Sequence, residues 1–234
     1  MRYEIIGTGS KGNALLLDGW MLVDCGLPYK AIKEYAAGIK LVLLTHSHAD
    51  HFNITAIRRL AAVHPKVRFC APVQLVPKLQ ECGIGAHRID ISKHGKRLSY
   101  GSAGAEVSAF QLVHDVPNVG YRIALRCDDG RTETALYLTD TGSVEQIPKE
   151  ISKGCDYYFI EANYKEAEIQ EKIREKQAFG EFVYETRVVQ THLSYEQAVA
   201  FLADNARSDS KVLFIHGHQE KEGEDNGQEI PAGN

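Results

Sequence analysis

Leu41-Val42-Leu43-Leu44-Thr45-His46-Ser47-His48-Ala49-Asp50-His51-Phe52-Asn53 is the stretch on which the reading of the whole chain turns. An aliphatic run ends at Thr45, and His46, His48, Asp50 and His51 follow almost at once. A β-type apolar run that breaks abruptly into imidazoles and a carboxylate reads as a buried strand delivering metal ligands to the loop at its end. The order H-x-H-x-D-H outweighs the alternative of a polar loop with coincidental histidines. Asn53 then supplies an N-cap, and Ile54, Ile57, Leu60 and Ala61 fall at helical spacing. The loop therefore opens into a helix whose first amides help to hold it.

Upstream, the runs YEII, NALLLD and WMLVD over residues 3–24 are separated by Gly7-Thr8-Gly9-Ser10-Lys11-Gly12 and by Gly19, which predicts a meander of antiparallel strands. The glycine loop lacks the G-x-x-x-x-G-K-[ST] spacing and leads into a strand, so it is not a P-loop. It predicts a backbone-rich turn beside the site, with Ser10 and Asn13 as polar contributors. Asp24 stands where the third run stops, either as a turn cap or as the partner that orients a histidine ligand. Residues 30–37 predict a short helix stopped by Gly38.

Downstream, residues 67–71 predict a strand and residues 73–82 a helix interrupted by Pro77. Lys93-His94-Gly95-Lys96-Arg97 reads as the solvated tip of a hairpin, with a phosphate-backbone contact as the alternative. A strand over 106–113 ends in His114. Strands over 121–127 and 134–139, joined by the hairpin signal Asp128-Asp129-Gly130, lead to Asp140. A short helix over 144–151 precedes a strand over 156–160, which runs into Glu161-Ala162-Asn163-Tyr164. Residues 166–190 are charged and helical in pattern. Ser194-Tyr195-Glu196-Gln197 is a capping-box-like start to the next helix, and a strand over 211–215 ends in His216-Gly217-His218. Alternating strands and helices of this kind predict an α/β protein of αββα type, two sheets packed face to face with helices outside. Residues 1–218 are expected to form one domain, and residues 219–234 an acidic, disordered tail.

The 234 residues suffice for one sizeable core, and 44% hydrophobic with 25% charged residues is ordinary for a globular protein. The formal net charge of -4 comes mostly from the tail and leaves a nearly neutral body, which neither demands nor excludes nucleic acid. Five cysteines scattered without a C-x-x-C pair argue against a disulfide framework and a thiolate zinc site and predict a reducing compartment. No stretch approaches a membrane span or a signal peptide, so a cytoplasmic protein with no membrane partner is expected.

Candidate ligands thus stand at separate strand ends: Asp24, the His46 cluster, His114, Asp140 and His216. Imidazoles and carboxylates without thiolates suit zinc, and equally manganese or iron. The set exceeds the needs of one tetrahedral ion, so two divalent ions sharing a carboxylate is the economical arrangement. His216 is preferred to His218 because it directly follows the strand, although both lie on one face of an extended chain.

THSHADH, followed at a distance by His114, Asp140 and a strand-borne His216, resembles the signature of the metallo-β-lactamase-fold hydrolase superfamily. The resemblance implies a four-layer αββα sandwich with His46, His48 and His114 on one metal and Asp50, His51 and His216 on the other. Asp140 would bridge them, and a hydroxide held between the ions would be the nucleophile, which puts Asp50 among the catalytic residues as well. GTGSKGN, VHDVPNVGYRI, FIEANY and THLSYEQA are together similar to the small nuclease-like branch typified by YycJ/WalJ proteins. THLSYEQA also resembles the histidine motif of the tRNA 3′-processing endonuclease RNase Z, which implies that His192 protonates the leaving group. Ser194 or Asn163 would then hold a non-bridging oxygen. The implied activity is a phosphodiesterase or nuclease acting on DNA or RNA. The alternatives are a hydrolase of a small, nucleotide-derived phosphodiester, thioester or lactone, and a non-catalytic nucleic-acid-binding member of the fold.

Overall fold

The structure is a computed structural model that describes residues 1–127, 129–217 and 230–231, the last pair by backbone alone. Its first sheet runs in the order β1 (Tyr3–Gly7), β2 (Ala14–Leu17), β3 (Met21–Val23), β4 (Leu41–Leu43), β5 (Arg68–Pro72) and β6 (Ile89–Ser92). β1 to β3 form the expected antiparallel meander, and β3 to β6 are parallel. Parallel neighbours need crossovers, and these carry α1 (Tyr29–Ile32), α2 (Ile54–Val63) and α3 (Val76–Glu81).

The second sheet contains β7 (Arg97–Tyr100), β8 (Ala105–Leu112), β9 (Asn118–Arg126), β10 (Thr132–Leu138), β11 (Tyr157–Glu161), β12 (Lys211–Ile215) and β13 (Ile230–Pro231) in reverse spatial order. β7 to β10 are antiparallel, whereas β10, β11 and β12 are parallel. α4 (Lys149–Ser152) precedes β11, and α5 (Glu166–Ala178), α6 (Glu185–Thr191) and α7 (Tyr195–Asn205) fill the crossover from β11 to β12.

Period-two alternation sorts the strands' side chains into separate apolar layers. On β4, Val42 faces α2, where it joins Ile57 and Leu60, while Leu41 and Leu43 face the other sheet. On β10 and β11, Tyr137 and Phe159 face that inter-sheet core, while Leu136, Leu138, Tyr158 and Ile160 pack under Ala198 and Phe201 of α7. Both faces of each central strand are covered, which is why Leu41 to Leu44 form an unbroken apolar run. The result is the αββα order of layers. Two buried phenols cross between the sheets: Tyr121 donates to the Leu44 carbonyl at 2.6 Å, and Tyr137 to Asp24 Oδ2 at 3.2 Å. Among the described residues no helix is long and apolar enough to cross a membrane.

Several local expectations are corrected. The turn at residues 93–97 joins edge strands of different sheets instead of closing a hairpin. The helix expected over 30–37 is a single turn, α1, and that over 144–151 shrinks to α4, with Pro148 as its extended N-cap at φ -61°, ψ 137°. The charged helix over 166–190 is split: Gly180, at φ 66°, ends α5 with Glu181 N–H donating to the Lys176 carbonyl. Residues 219–234 lie outside the described residues except for Ile230 and Pro231, which pair with Val212 and Lys211.

The loop after β4 is locked to the end of β3. Asn13 N–H donates to the Asp50 carbonyl at 2.7 Å, Cys25 N–H to His51 at 3.0 Å, and Asn53 N–H to Cys25 at 2.8 Å. Gly26 lies so close that a Cβ there would stand 1.7 Å from the Asp50 carbonyl oxygen. Gly26→Ala is therefore expected to cost about 3 kcal/mol, lowering Tm by roughly 6–12 °C. Gly101→Ala, where a Cβ meets open space, is expected to stay within about 0.5 kcal/mol of the parent. Thermal unfolding followed by circular dichroism compares them, and equal shifts would rule out the Gly26 contact as the cause.

Candidate metal centre

β3, β4, β8, β10, β11 and β12 all present their carboxyl ends to one end of the sandwich, and each carries an ionisable side chain at or just past that end. These are Asp24, His46, His114, Asp140, Glu161 and His216. Three of them bend the chain sharply: Asp24, Asp140 and His216 adopt φ of 60°, 56° and 54°. Left-handed backbone costs a residue with a Cβ roughly 1–2 kcal/mol, and its recurrence at these strand ends concentrates strain at one place. The sharp turns project the side chains inward instead of along the strands.

Ligand-type atoms gather within 4.8 Å of one another as His46, His48 and His114, and as Asp50, His51 and His216. Asp140 connects the two sets, grouping with His46 and His51 and again with Glu161, His192 and His216. Its Oδ2 lies 2.9 Å from His51 Nε2, and its Oδ1 lies 3.6 Å from His216 Nε2. Asp50 Oδ2 is 3.3 Å from His216 Nε2.

Partners behind the rings set which nitrogen faces the centre. His51 Nδ1 donates to Asp24 Oδ2 at 2.6 Å, and His114 Nδ1 to the Thr191 carbonyl at 3.0 Å. Thr45 Oγ1 lies against both Asp24 oxygens and 3.0 Å from His46 Nδ1. Its proton is taken by the carboxylate, so it accepts from Nδ1 and leaves His46 Nε2 as an acceptor. That Nε2 is buried without a hydrogen-bond partner. His48 Nδ1 faces His114 Nε2 at 3.3 Å, while Asp115 Oδ1 sits 3.3 Å from His48 Nε2 and pairs through its other oxygen with Arg187.

The electrostatics match this geometry. Burial, with neighbouring histidines, drives His46 well below the ordinary imidazole value and keeps it neutral. Burial also opposes charge on His51 and His216, yet the Asp140 carboxylate, with Asp24 beside His51 and with Asp50 and Glu161 beside His216, lifts His51 to about 10 and His216 well above its usual value. Burial raises Asp140 in turn, but His51 and His216 outweigh it and hold the carboxyl well below the usual range. Lone pairs and carboxylates crowd one largely buried space, and His46 Nε2 there has no hydrogen-bond partner. A donor set of this kind fits divalent cations, which would relieve the crowding of negative oxygens.

The remaining expected residues separate into several positions. Asn13 is buried, with Nδ2 2.9 Å from His51 Nε2, whereas Ser10 is exposed on the glycine loop. Thr8, not singled out in the sequence, reaches the site instead, its Oγ1 accepting from His216 N–H at 2.6 Å. Asn163 braces His216 by donating to its carbonyl at 3.1 Å. Ser194 is fully buried. Its hydroxyl caps α7 by accepting from Gln197 N–H and donates to Glu166 Oε1 at 2.9 Å, so it is not available to a substrate oxygen. His218 lies outside the described residues.

His192 stands at the rim, its ring 5.5 Å from His114 and stacked 5.4 Å from His216. Its Nδ1 donates to Glu161 Oε1 and lies 3.3 Å from Asp140 Oδ1. Burial lowers its basicity, but Glu161 overrides this and raises its pKa above the ordinary value. Glu161 is the principal residue that sequence reading missed. It is fully buried, and it also accepts from Thr141 N–H and Leu193 N–H. The available signal was the same one that marked Asp24 and Asp140, a carboxylate closing an apolar strand.

The chain is 27% identical over 176 residues to the exodeoxyribonuclease WalJ of Streptococcus pneumoniae, a match covering 70% of this chain and 62% of that relative's length. Among solved structures, the metallo-β-lactamase-fold protein YhfI of Bacillus subtilis superposes with a TM-score of 0.67 at 17% identity, covering 93% of this chain and 86% of that one. The short form of human tRNase Z superposes with a TM-score of 0.63 at 19% identity, covering 98% of each. At these identities the two structures speak for the fold alone. The family model of the beta-lactamase superfamily domain matches residues 19–216, from the turn before β3 to the histidine after β12, and the chain belongs to that superfamily.

Proposed function

We propose that the protein is a dinuclear metal-dependent phosphodiesterase that acts on nucleic acid. The observation that carries this reading is His192, held by Glu161 at the rim of the candidate metal centre with its second nitrogen turned away from that bond. Hydrolysis of a phosphodiester needs a proton for a departing alkoxide, and an imidazole fixed through one nitrogen is suited to deliver it from the other. The pneumococcal relative, an exodeoxyribonuclease by name, favours DNA as the polymer.

In this reading His46, His48 and His114 hold one cation, Asp50, His51 and His216 hold the other, and Asp140 serves both. Zinc is the expected metal, with manganese or iron as alternatives. When bound, the two ions supply Lewis-acid charge to the phosphoryl oxygens and acidify water. The protein's own groups do the rest. Asp24, Thr45 and the Thr191 carbonyl keep three imidazoles in the tautomer that faces the centre. Glu161 favours the protonated form of His192, whose Nε2 would donate to the oxygen that leaves, and the Asp115–Arg187 pair lies beside His48.

Three outcomes follow. Zinc reconstitution is expected to raise Tm by roughly 5–10 °C over chelator-treated protein, and Asp140→Asn to remove most of that gain and to lower the bound metal measured by mass spectrometry. His192→Ala is expected to depress turnover about 100- to 10,000-fold while leaving metal stoichiometry intact, whereas loss of both together would make His192 a ligand. Metal-loaded protein assayed side by side on bis(p-nitrophenyl) phosphate, single- and double-stranded DNA and RNA, a lactone and a lactoyl thioester is expected to cut the phosphodiesters, and turnover confined to the last two would sink the reading.

A further inference from the structure

The basic turn at residues 93–97 takes no part in the metal centre, yet the topology places it on the same end of the sandwich. β6 runs parallel to β4 through β5, and β7 runs antiparallel to β8, so the turn joining β6 to β7 emerges where β4 and β8 lead to His46 and His114. The register sets its height. Leu43 pairs with Cys70 and Pro72 with Ser92, which puts Ser92 level with Thr45, two strand spacings or about 10 Å to the side. A polar link confirms the proximity, because the Tyr121 hydroxyl that donates to the Leu44 carbonyl at 2.6 Å also lies 3.2 Å from Ser92 Oγ.

The turn itself is short and defined. Lys96 N–H donates to the Lys93 carbonyl at 2.9 Å, and Gly95 takes the left-handed position at φ 75°. Residues 93–97 are all exposed. Arg97 is neutralised by Glu106 at 3.2 Å, but neither Lys93 nor Lys96 has an acidic partner among the described residues. Two uncompensated cations on a tight turn, beside the mouth of a site that hydrolyses a polyanion, fit the polymer's backbone better than any neutral partner.

We infer that Lys93 and Lys96 form a phosphate-backbone contact for the nucleic-acid strand whose scissile phosphate lies at the metal centre. The inference rests on the phosphodiesterase reading for its substrate, but it concerns binding and is tested without turnover. The contact reads no base. It positions the strand independently of sequence, and its signature is salt dependence, because each phosphate neutralised releases counterions and adds about 0.7–0.9 to the slope of log K against log salt.

The test uses the zinc-loaded 234-residue chain and a fluorescein-labelled, phosphorothioate-linked DNA oligonucleotide, which keeps the backbone charge and resists cleavage. Fluorescence anisotropy is followed across a salt series. The double variant Lys93→Ala, Lys96→Ala is compared with Lys40→Ala, Lys211→Ala, which removes the same charge from the opposite ends of β4 and β12. The turn variant is expected to weaken binding about tenfold at moderate salt and to lower the slope by about 1.5, with the control variant matching the parent. Equal slopes for parent and turn variant overturn the inference. An equal fall in the control variant also overturns it, by showing a net-charge effect, as does a parent protein that binds no oligonucleotide. Failure of the phosphodiesterase reading shows differently, as absent hydrolysis of natural DNA and RNA with the slope difference preserved.

Discussion

Asp24 ties together parts of the chain that are far apart in sequence. Its Oδ1 accepts from Thr45 N–H at 2.9 Å, and its Oδ2 accepts from His51 Nδ1 at 2.6 Å and from the Tyr137 hydroxyl at 3.2 Å. One buried carboxylate thus joins the end of β3, the residue before His46, a histidine of the loop and a tyrosine of the other sheet. A charge with no exposure to solvent is tolerable only when its lone pairs are taken up, and removing a partner would leave it uncompensated. The geometry of the loop is therefore set by electrostatic necessity at Asp24 as much as by the apolar packing beneath it.

From that anchor the centre is built outward by turning strands sharply at their ends. The left-handed backbone of Asp24, Asp140 and His216 would be unfavourable in isolation, and neighbouring contacts hold it: Leu43 O accepts from Asp24 N–H, Asn118 Nδ2 donates to the Asp140 carbonyl at 2.7 Å, and Thr8 Oγ1 accepts from His216 N–H. Carboxylates and imidazoles brought so close polarise one another, and the opposite displacements of Asp140 and His51 express a single attraction. Glu161 extends the same logic one strand further and links His216 to His192.

The elements legible in the sequence are those whose signals are local and dictated by one requirement. Leu41 to Leu44 had to be covered on both faces, Asn53 had to cap, and Ser194 with Gln197 had to form a capping box, and each does so. Ser194 also shows where such reading fails, since its single hydroxyl proton goes to Glu166 Oε1 and leaves none for a substrate oxygen. Turn chemistry revealed a reversal at residues 93–97 but not that its flanking strands belong to different sheets, because that depends on pairings made elsewhere. The break between α5 and α6 carries no apolar signal because α5 is polar and largely exposed, α6 is short, and Phe179 and Phe182 stand in solvent between them. Glu161 was hidden by its own strand, whose last residue reads as ordinary until the fold turns it inward.

The meeting of Asp50 with His216, 166 residues later in the chain, has a bearing on how the protein holds together. A cation gripped by both would act as a clasp on most of the polypeptide, restricting the unfolded chain much as a long-range covalent cross-link does, by about 5 kcal/mol in the simplest chain-entropy treatment. The two sheets would then be fastened at one end by ion chemistry and along their length by the apolar layer between them. Loss of the ion would slacken that end first.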